Sequence, residues 1–278
     1  AYSKTYTVKH KLGIVRVGIS LNTDIGNGPA LILQILLDSF VYRSVLWDMC
    51  NESNVEVLLS TMVSAVNESD DGASVLVTGK EGFLVINAGV LIDATGDANA
   101  ASVAGFETVK SAVQQPATPQ NRISGYDFDK IDLDMLRSRF NEVALPAHIT
   151  ADKVIACLKN GKFDIHVPCT DAHTSLGRTR VERDAMGIIS TLYRFCRSIS
   201  GLEALRVESY ADETGVRETV RIIGEETLTA EDYISGKCFD NAVCYAFYPI
   251  DLHVADGIKQ RFFDDGKVGT IPYGALIP

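Results

Sequence analysis

The chain has 278 residues, 46% of them hydrophobic and 22% charged, with a formal net charge of -10. That length and apolar content suffice for a full core, in one large domain or two modest ones, and no disorder signature is present. The acidic balance argues against nucleic acid or an anionic membrane as partner, since either needs a basic face.

The opening residues, AYSKTYTVKHK, lack the apolar core of a signal peptide, which a processed chain would also have lost. Residues 14–19 suit a strand, and residues 22–28 form a turn-rich loop leading to Pro29. Gly26-Asn27-Gly28-Pro29 reads as a loop before a helix, because Asn22, Thr23 and Asp24 stand where a phosphate-cradling turn needs an apolar strand. Residues 30–50 are the most apolar stretch, yet Gln34, Asp38, Arg43 and Asp48 are too many polar groups for a membrane span, so a core helix is expected. Residues 55–59 read as a strand. Three short runs, 61–66, 73–78 and 83–88, are separated by Ser69-Asp70-Asp71-Gly72 and Gly79-Lys80-Glu81-Gly82, which predicts an antiparallel meander.

Val90, Leu91 and Ile92 then read as a strand buried on both faces, stopping at the turn Ala94-Thr95-Gly96. Asp97 suits an N-cap, residues 98–104 a short helix and Gly105 its terminator. Small residues at a strand's end let a ligand come close, and a helix N-terminus beyond it offers unpaired N–H groups. A close-packed crossover with nothing bound explains the same spacing.

Beyond residue 107 the pattern turns helical. Residues 132–141 and 151–160 are amphipathic, the second capped by Thr150 and ended by Gly161, and residues 162–169 suit a strand. Residues 182–200 form a long helix whose Met186, Ile189, Leu192, Phe195, Cys196 and Ile199 recur at core spacing. His166 and His173 flank a turn with Cys169, but no further spaced ligand follows, so they read as loop or strand polar groups rather than a metal site. The six cysteines, Cys50, Cys157, Cys169, Cys196, Cys238 and Cys244, lack a C-x-x-C pair. Free thiols and a reducing, cytoplasmic compartment are expected.

In Gly215-Val216-Arg217-Glu218-Thr219-Val220-Arg221, three charges sit among small and β-branched residues. If the segment is extended, Arg217, Thr219 and Arg221 share one face and Glu218 takes the other. A structural Arg-Glu pair and an arginine facing a carboxylate both fit. Thr229-Ala230-Glu231-Asp232 forms a capping box. Asp251 and His253 lie on one face of an extended stretch, compatible with a structural histidine or an acid/base role. A hairpin over 259–263 and 267–270 follows.

These motifs carry a resemblance. VLIDATGDANAASVAG looks like the IDATGD segment of FAD-dependent oxidoreductases related to the fumarate reductase and succinate dehydrogenase flavoproteins. GVRETVRIIGEE, YPIDLH and IPY resemble later stretches of one branch of that class, as does the helix-to-strand passage from residue 40. The resemblance implies an α/β fold: part of a FAD/NAD(P)-binding Rossmann-like domain with an antiparallel meander, plus an α+β substrate-side domain. Its divisions would be residues 1–110, 111–210 and 211–278. It implies FAD as cofactor, with Ala94, Thr95, Gly96, Asp97 and Glu218 toward it. Arg217, His253 and Tyr273 would face a small organic substrate, anionic where Arg217 orients it, which exchanges a hydride with the flavin. Residues 174–181 match a family strand, and Gly274 stands in place of a family arginine. The family's opening GxGxxG and closing FAD segment are not found, so a piece of a longer protein is expected. A non-catalytic remnant of the same fold remains the alternative, and no residue pattern supports the carbohydrate-processing label some relatives carry. The sequence names no substrate, and a homo-oligomer is compatible with it.

Overall fold

The computed structural model describes residues 2–10, 13–21, 34–36, 38–111, 114–246, 248–254, 257–264 and 267–278, the first three stretches as backbone. In chain order these form β1 (Tyr2–His10), β2 (Gly13–Leu21), β3 (Gln34–Leu36), α1 (Ser39–Glu52), β4 (Met62–Ser69), β5 (Gly72–Gly79) and β6 (Gly82–Ala88). Next come α2 (Asn99–Ala104), β7 (Thr108–Lys110), β8 (Asn121–Ser124), α3 (Leu133–Arg139), α4 (Ala151–Asn160) and α5 (Ser175–Arg197). The last are β9 (Arg206–Tyr210), β10 (Val220–Ile222), α6 (Ala230–Ile234), β11 (Ala242–Ala246), β12 (Ile250–Val254), β13 (Gly257–Arg261) and β14 (Gly269–Pro272). The chain divides into two compact units. The first comprises Ala1–Ile92, Glu225–Ile250 and Arg261–Ile277, and the second Asp93–Gly224 and Asp251–Gln260 with Pro278. The architecture is mixed α/β, with small sheets whose registered strand pairs run antiparallel.

In the first unit, β4, β5 and β6 form the predicted meander, with Ser69 opposite Gly72 and Gly79 opposite Gly82. Gly72 is obligatory there: its φ is +131°, and a Cβ would meet the Ala88 carbonyl oxygen at 2.2 Å. One face of β5 makes a small core of Ala73, Val75 and Val77, against which Val63 and Val66 pack. Of the described residues in the stretch expected as a core helix from residue 30, Gln34–Leu36 form the strand β3 and α1 starts only at Ser39. The Asp38 carboxylate accepts from the backbone N–H groups of Phe40 and Val41, so a local cap starts the helix. No residue of α1 is buried. Residues 55–59 and 90–92, both expected as strands, are not strands, and Val90 and Ile92 are about four-fifths exposed at 80% and 82%. A strand needs a ladder for its N–H and C=O groups, and among the described residues none is supplied. The Gly26 to Pro29 motif lies outside the described residues.

The second unit has the larger core. Leu136 of α3, Val154 and Leu158 of α4, Phe163, Ile165 and the α5 residues Ile189, Leu192 and Cys196 pack into one buried cluster. The termini of α4 are those written in the sequence: Thr150 Oγ1 accepts from Lys153 N at 3.2 Å, and Gly161 ends the helix at φ +69°. Residues 174–181, matched to a family strand, are instead the cap and opening turns of α5. Thr174 Oγ1 accepts from Gly177 N at 2.9 Å, and Val181, Ala185 and Ile189 continue the buried stripe at helical spacing. Of residues 162–169, only Val167 makes a bridge, to Ala117. The hairpin expected across Asp264 is replaced by two other pairings, β12 with β13 and β11 with β14. Among the described residues no helix is long and apolar enough to cross a membrane.

Candidate functional site

The turn after Ile92 is organised by Asp93. Its Oδ1 accepts from both the backbone N–H and the hydroxyl of Thr95, at 2.9 and 2.7 Å, and its Oδ2 accepts from Ala101 N at 3.0 Å. Thr95 Oγ1 in turn accepts from Asn99 N at 2.9 Å. Burial raises the Asp93 carboxyl's affinity for a proton, but these donors outweigh it and hold the group below the usual carboxylate value. The expected cap is therefore corrected. Asp97 does not cap α2, which begins one residue later behind Ala98, and donors expected to be free at that helix start are taken by Asp93 and Thr95. Gly105 ends the helix at φ +93°, as the sequence predicts.

Released from capping, Asp97 bonds elsewhere: its Oδ1 accepts from Thr219 N at 3.2 Å. That bond joins the Ala-Thr-Gly turn to the GVRET segment across more than a hundred residues of chain. Ala94, Thr95 and Gly96 are exposed, Gly96 has φ +85°, and a Cβ built on it would meet nothing within 4 Å. The turn thus offers a flat, unobstructed backbone face that suits the close approach of a planar group, while α2 offers little residual charge to an anion.

The GVRET segment splits the charges. Thr219 is buried at 1% exposure, whereas Arg217, Glu218 and Arg221 are exposed. Glu218 Oε1 accepts from Arg221 at 2.8 Å and from Ser111 at 3.3 Å, which makes that pair a surface salt bridge. Arg217 instead lines a cleft of about 490 Å³ within the second unit, together with His166 and His253. Its guanidinium lies 3.9 Å from Asp251 Oδ2, and the same oxygen lies 3.5 Å from His253 Nε2. Asp251 is buried to 8% exposure, and among the described residues no hydrogen bond reaches its Oδ1. The His253 ring thus stands beside a carboxylate that can only accept. The backbone of His253 is fixed separately, its N–H donating to Gln115 Oε1 at 2.7 Å.

The sequence reading took His166 as a loop or strand polar group and did not single out Lys153, yet both line this cleft. His166 packs its ring against that of His253, centroids 5.2 Å apart, and Lys153 of α4 lines the same space. The signal lay in residues 163–167, where Phe163, Ile165 and Val167 are fully buried and leave Asp164 and His166 on the alternate face. The lining holds Lys153, Lys162 and Arg217; Lys162 pairs with Asp164 at 3.0 Å and Arg217 lies 3.9 Å from Asp251, which leaves a surplus of one cation, Lys153, among the described residues. Such a surplus in a chain of net charge -10 favours an anionic ligand. Tyr273 belongs to the first unit, where it is 55% exposed and its backbone N–H donates to the Asn241 carbonyl. Among the described residues no cluster of His, Cys, Asp and Glu could hold a metal ion.

No curated protein and no solved structure matches the chain. The family model described as FAD dependent oxidoreductase matches residues 21–278, most of its length. The open turn at Gly96, tied by Asp97 to the segment that feeds a cationic cleft, accords with that match, and the chain belongs to the FAD dependent oxidoreductase family, whose cofactor is FAD.

Proposed function

We propose that the protein is an FAD-dependent oxidoreductase acting on a small anionic organic substrate held in the cleft of the second unit. The observation that carries this reading is the Asp97–Thr219 bond. It fastens the Ala94-Thr95-Gly96 turn, the segment expected against the cofactor, to the strand whose preceding residues Gly215 to Arg217 line the cleft. Bound FAD would supply two-electron hydride chemistry. The chain's own residues would do the rest. Gly96 permits close backbone approach on the cofactor side, and Glu218, tied to Arg221, stands on the same segment. Arg217 orients the substrate's negative group, because its planar fork keeps its charge at every working pH. His253, beside Asp251, is the proton carrier. A Rossmann-like domain and a cytoplasmic setting belong to the same reading, the latter supported by the free thiols.

The test is Arg217→Ala in the flavin-loaded protein. Loss of a charged hydrogen-bonding partner of about 1.5–3 kcal/mol corresponds to a fall in kcat/KM of roughly 10- to 100-fold, with flavin absorbance retained. A variant that keeps both flavin content and turnover overturns the role, and a purified protein that takes up no flavin overturns the reading.

A further inference from the structure

The cleft contains two imidazoles in different settings. His166 is buried, and its Nδ1 lies 2.7 Å from the Val254 carbonyl oxygen. A carbonyl only accepts, so Nδ1 carries the hydrogen and Nε2 of the neutral ring is a bare lone pair. Burial, the Lys153 ammonium and His253 all disfavour a second proton, against the pull of the Val254 carbonyl and Asp164, and the balance sets the ring below its ordinary value. His253, in contrast, stands beside a carboxylate, its Nε2 lying 3.5 Å from Asp251 Oδ2. Lys153 forms no ion pair among the described residues, and it lines the cleft beside His166.

We propose that His166 is a second proton-handling residue of this cleft, accepting through Nε2 the proton of a hydroxyl on an anionic substrate, and that the substrate class is therefore a hydroxy acid. The inference rests on the reading above and deepens it. In the proton step the substrate O–H bond breaks, its electron pair stays on oxygen and an N–H bond forms at Nε2, leaving an imidazolium. Lys153, Lys162 and Arg217 hold the acid's negative group, and His253 stays tied to Asp251. The lowered proton affinity keeps the ring neutral before the substrate arrives, so the Nε2 lone pair is available to take the proton.

The experiment begins with protein carrying nitrogen-15 in its histidine rings, without added flavin. Long-range proton–nitrogen spectra at pH 7 should show His166 neutral with Nδ1 protonated, the resonance being identified by its loss in His166→Asn. Lactate should shift Nε2, and propionate, which lacks the hydroxyl, should not. In the flavin-loaded protein, His166→Asn keeps an N–H donor near the Nδ1 position and lacks the base. It should lower kcat about 10²- to 10⁴-fold with KM changed less than about threefold and flavin absorbance unchanged. His166→Gln serves as a second variant should the first fail to fold. A hydrogen on Nε2 at pH 7, equal shifts from lactate and propionate, or full kcat in either variant overturns the inference. Flavin-loaded protein that turns over no hydroxy acid overturns the substrate class while leaving the oxidoreductase reading standing for other anions, whereas a protein that takes up no flavin sinks that reading and leaves the spectra to decide the inference.

Discussion

The two units bury their apolar residues to different degrees. In the second, helices α3, α4 and α5 close over a core in which Leu136, Phe163, Leu192 and Ile199 are wholly inaccessible. In the first, β6 presents Phe83, Leu84, Val85 and Ile86 to solvent, α1 presents Phe40 and Trp47, and the buried cluster is three small side chains of β5. Among the described residues, local rules form elements in both units, whereas an extensive packed core is found only in the second. The site accordingly lies where rigidity is available. His253, His166 and Arg217 line a cleft walled by the well-packed unit.

Thiol chemistry should separate the units most widely. Burial, with Cys157 alongside, pushes the Cys196 thiol up to about 12, while Cys238 and Cys244 of the first unit are exposed. In native protein at pH 8, a disulfide reagent should modify Cys238 and Cys244 at least about a thousandfold faster than Cys196, since the thiolate is the reacting form. Comparable rates by mass spectrometry would break the contrast. Next in size is Phe163→Ala, expected to cost about 3–5 kcal/mol in a denaturant melt, against a change within about 0.5 kcal/mol for Phe83→Ala. Equal costs would mean that β6 is covered in solution. Smaller is Gly96→Ala. Its left-handed backbone costs about 1–2 kcal/mol, with no clash to add, so flavin retention should fall more than stability does. Gly201→Ala is the control: φ there is +87° and a Cβ would strike the Lys130 carbonyl at 2.4 Å, so the fold itself should suffer. Smallest is Asp93→Asn, worth about 1 kcal/mol as a lost cap. Because the folded-state pKa of Asp93 is lowered, its contribution is present above the unfolded carboxyl value and disappears as pH falls through the lowered one. Acid melts of wild type and variant should therefore converge below that range, and a constant gap would sink the assignment.

Where chemistry is local, the sequence was legible. Thr150 and Gly161 bound α4, Thr229 caps α6 with Asp232 N at 3.0 Å, and the two turns of the meander stand where their composition put them. Long-range competition defeated the reading elsewhere. Val90 to Ile92 have strand composition but no ladder, and β13 pairs with β12 although a turn composition at Asp264 invited another hairpin. The start of α5 was missed because residues 174–181 were matched to a family strand, whereas here Gly177 lets the first helical turn sit on Asp171, whose carbonyl a Cβ would meet at 1.9 Å. At the site, the pairing of Asp251 with His253 followed from strand alternation. The stacking of His166 on His253 joins residues far apart in sequence, and no local pattern announces it.

The course of the chain between the units has a consequence for biosynthesis. It leaves the first at Ile92, returns at Glu225, departs again at Asp251 and comes back at Arg261. During translation the walls of the cleft, from Pro116 to Arg217, emerge well before the strand that carries Asp251 and His253. A nascent chain halted short of that strand could still assemble the three-helix core, yet it would display Arg217 and His166 in an unfinished cleft. The ribosome thus adds Asp251 and His253 only after most of the residues that wall the cleft have been made.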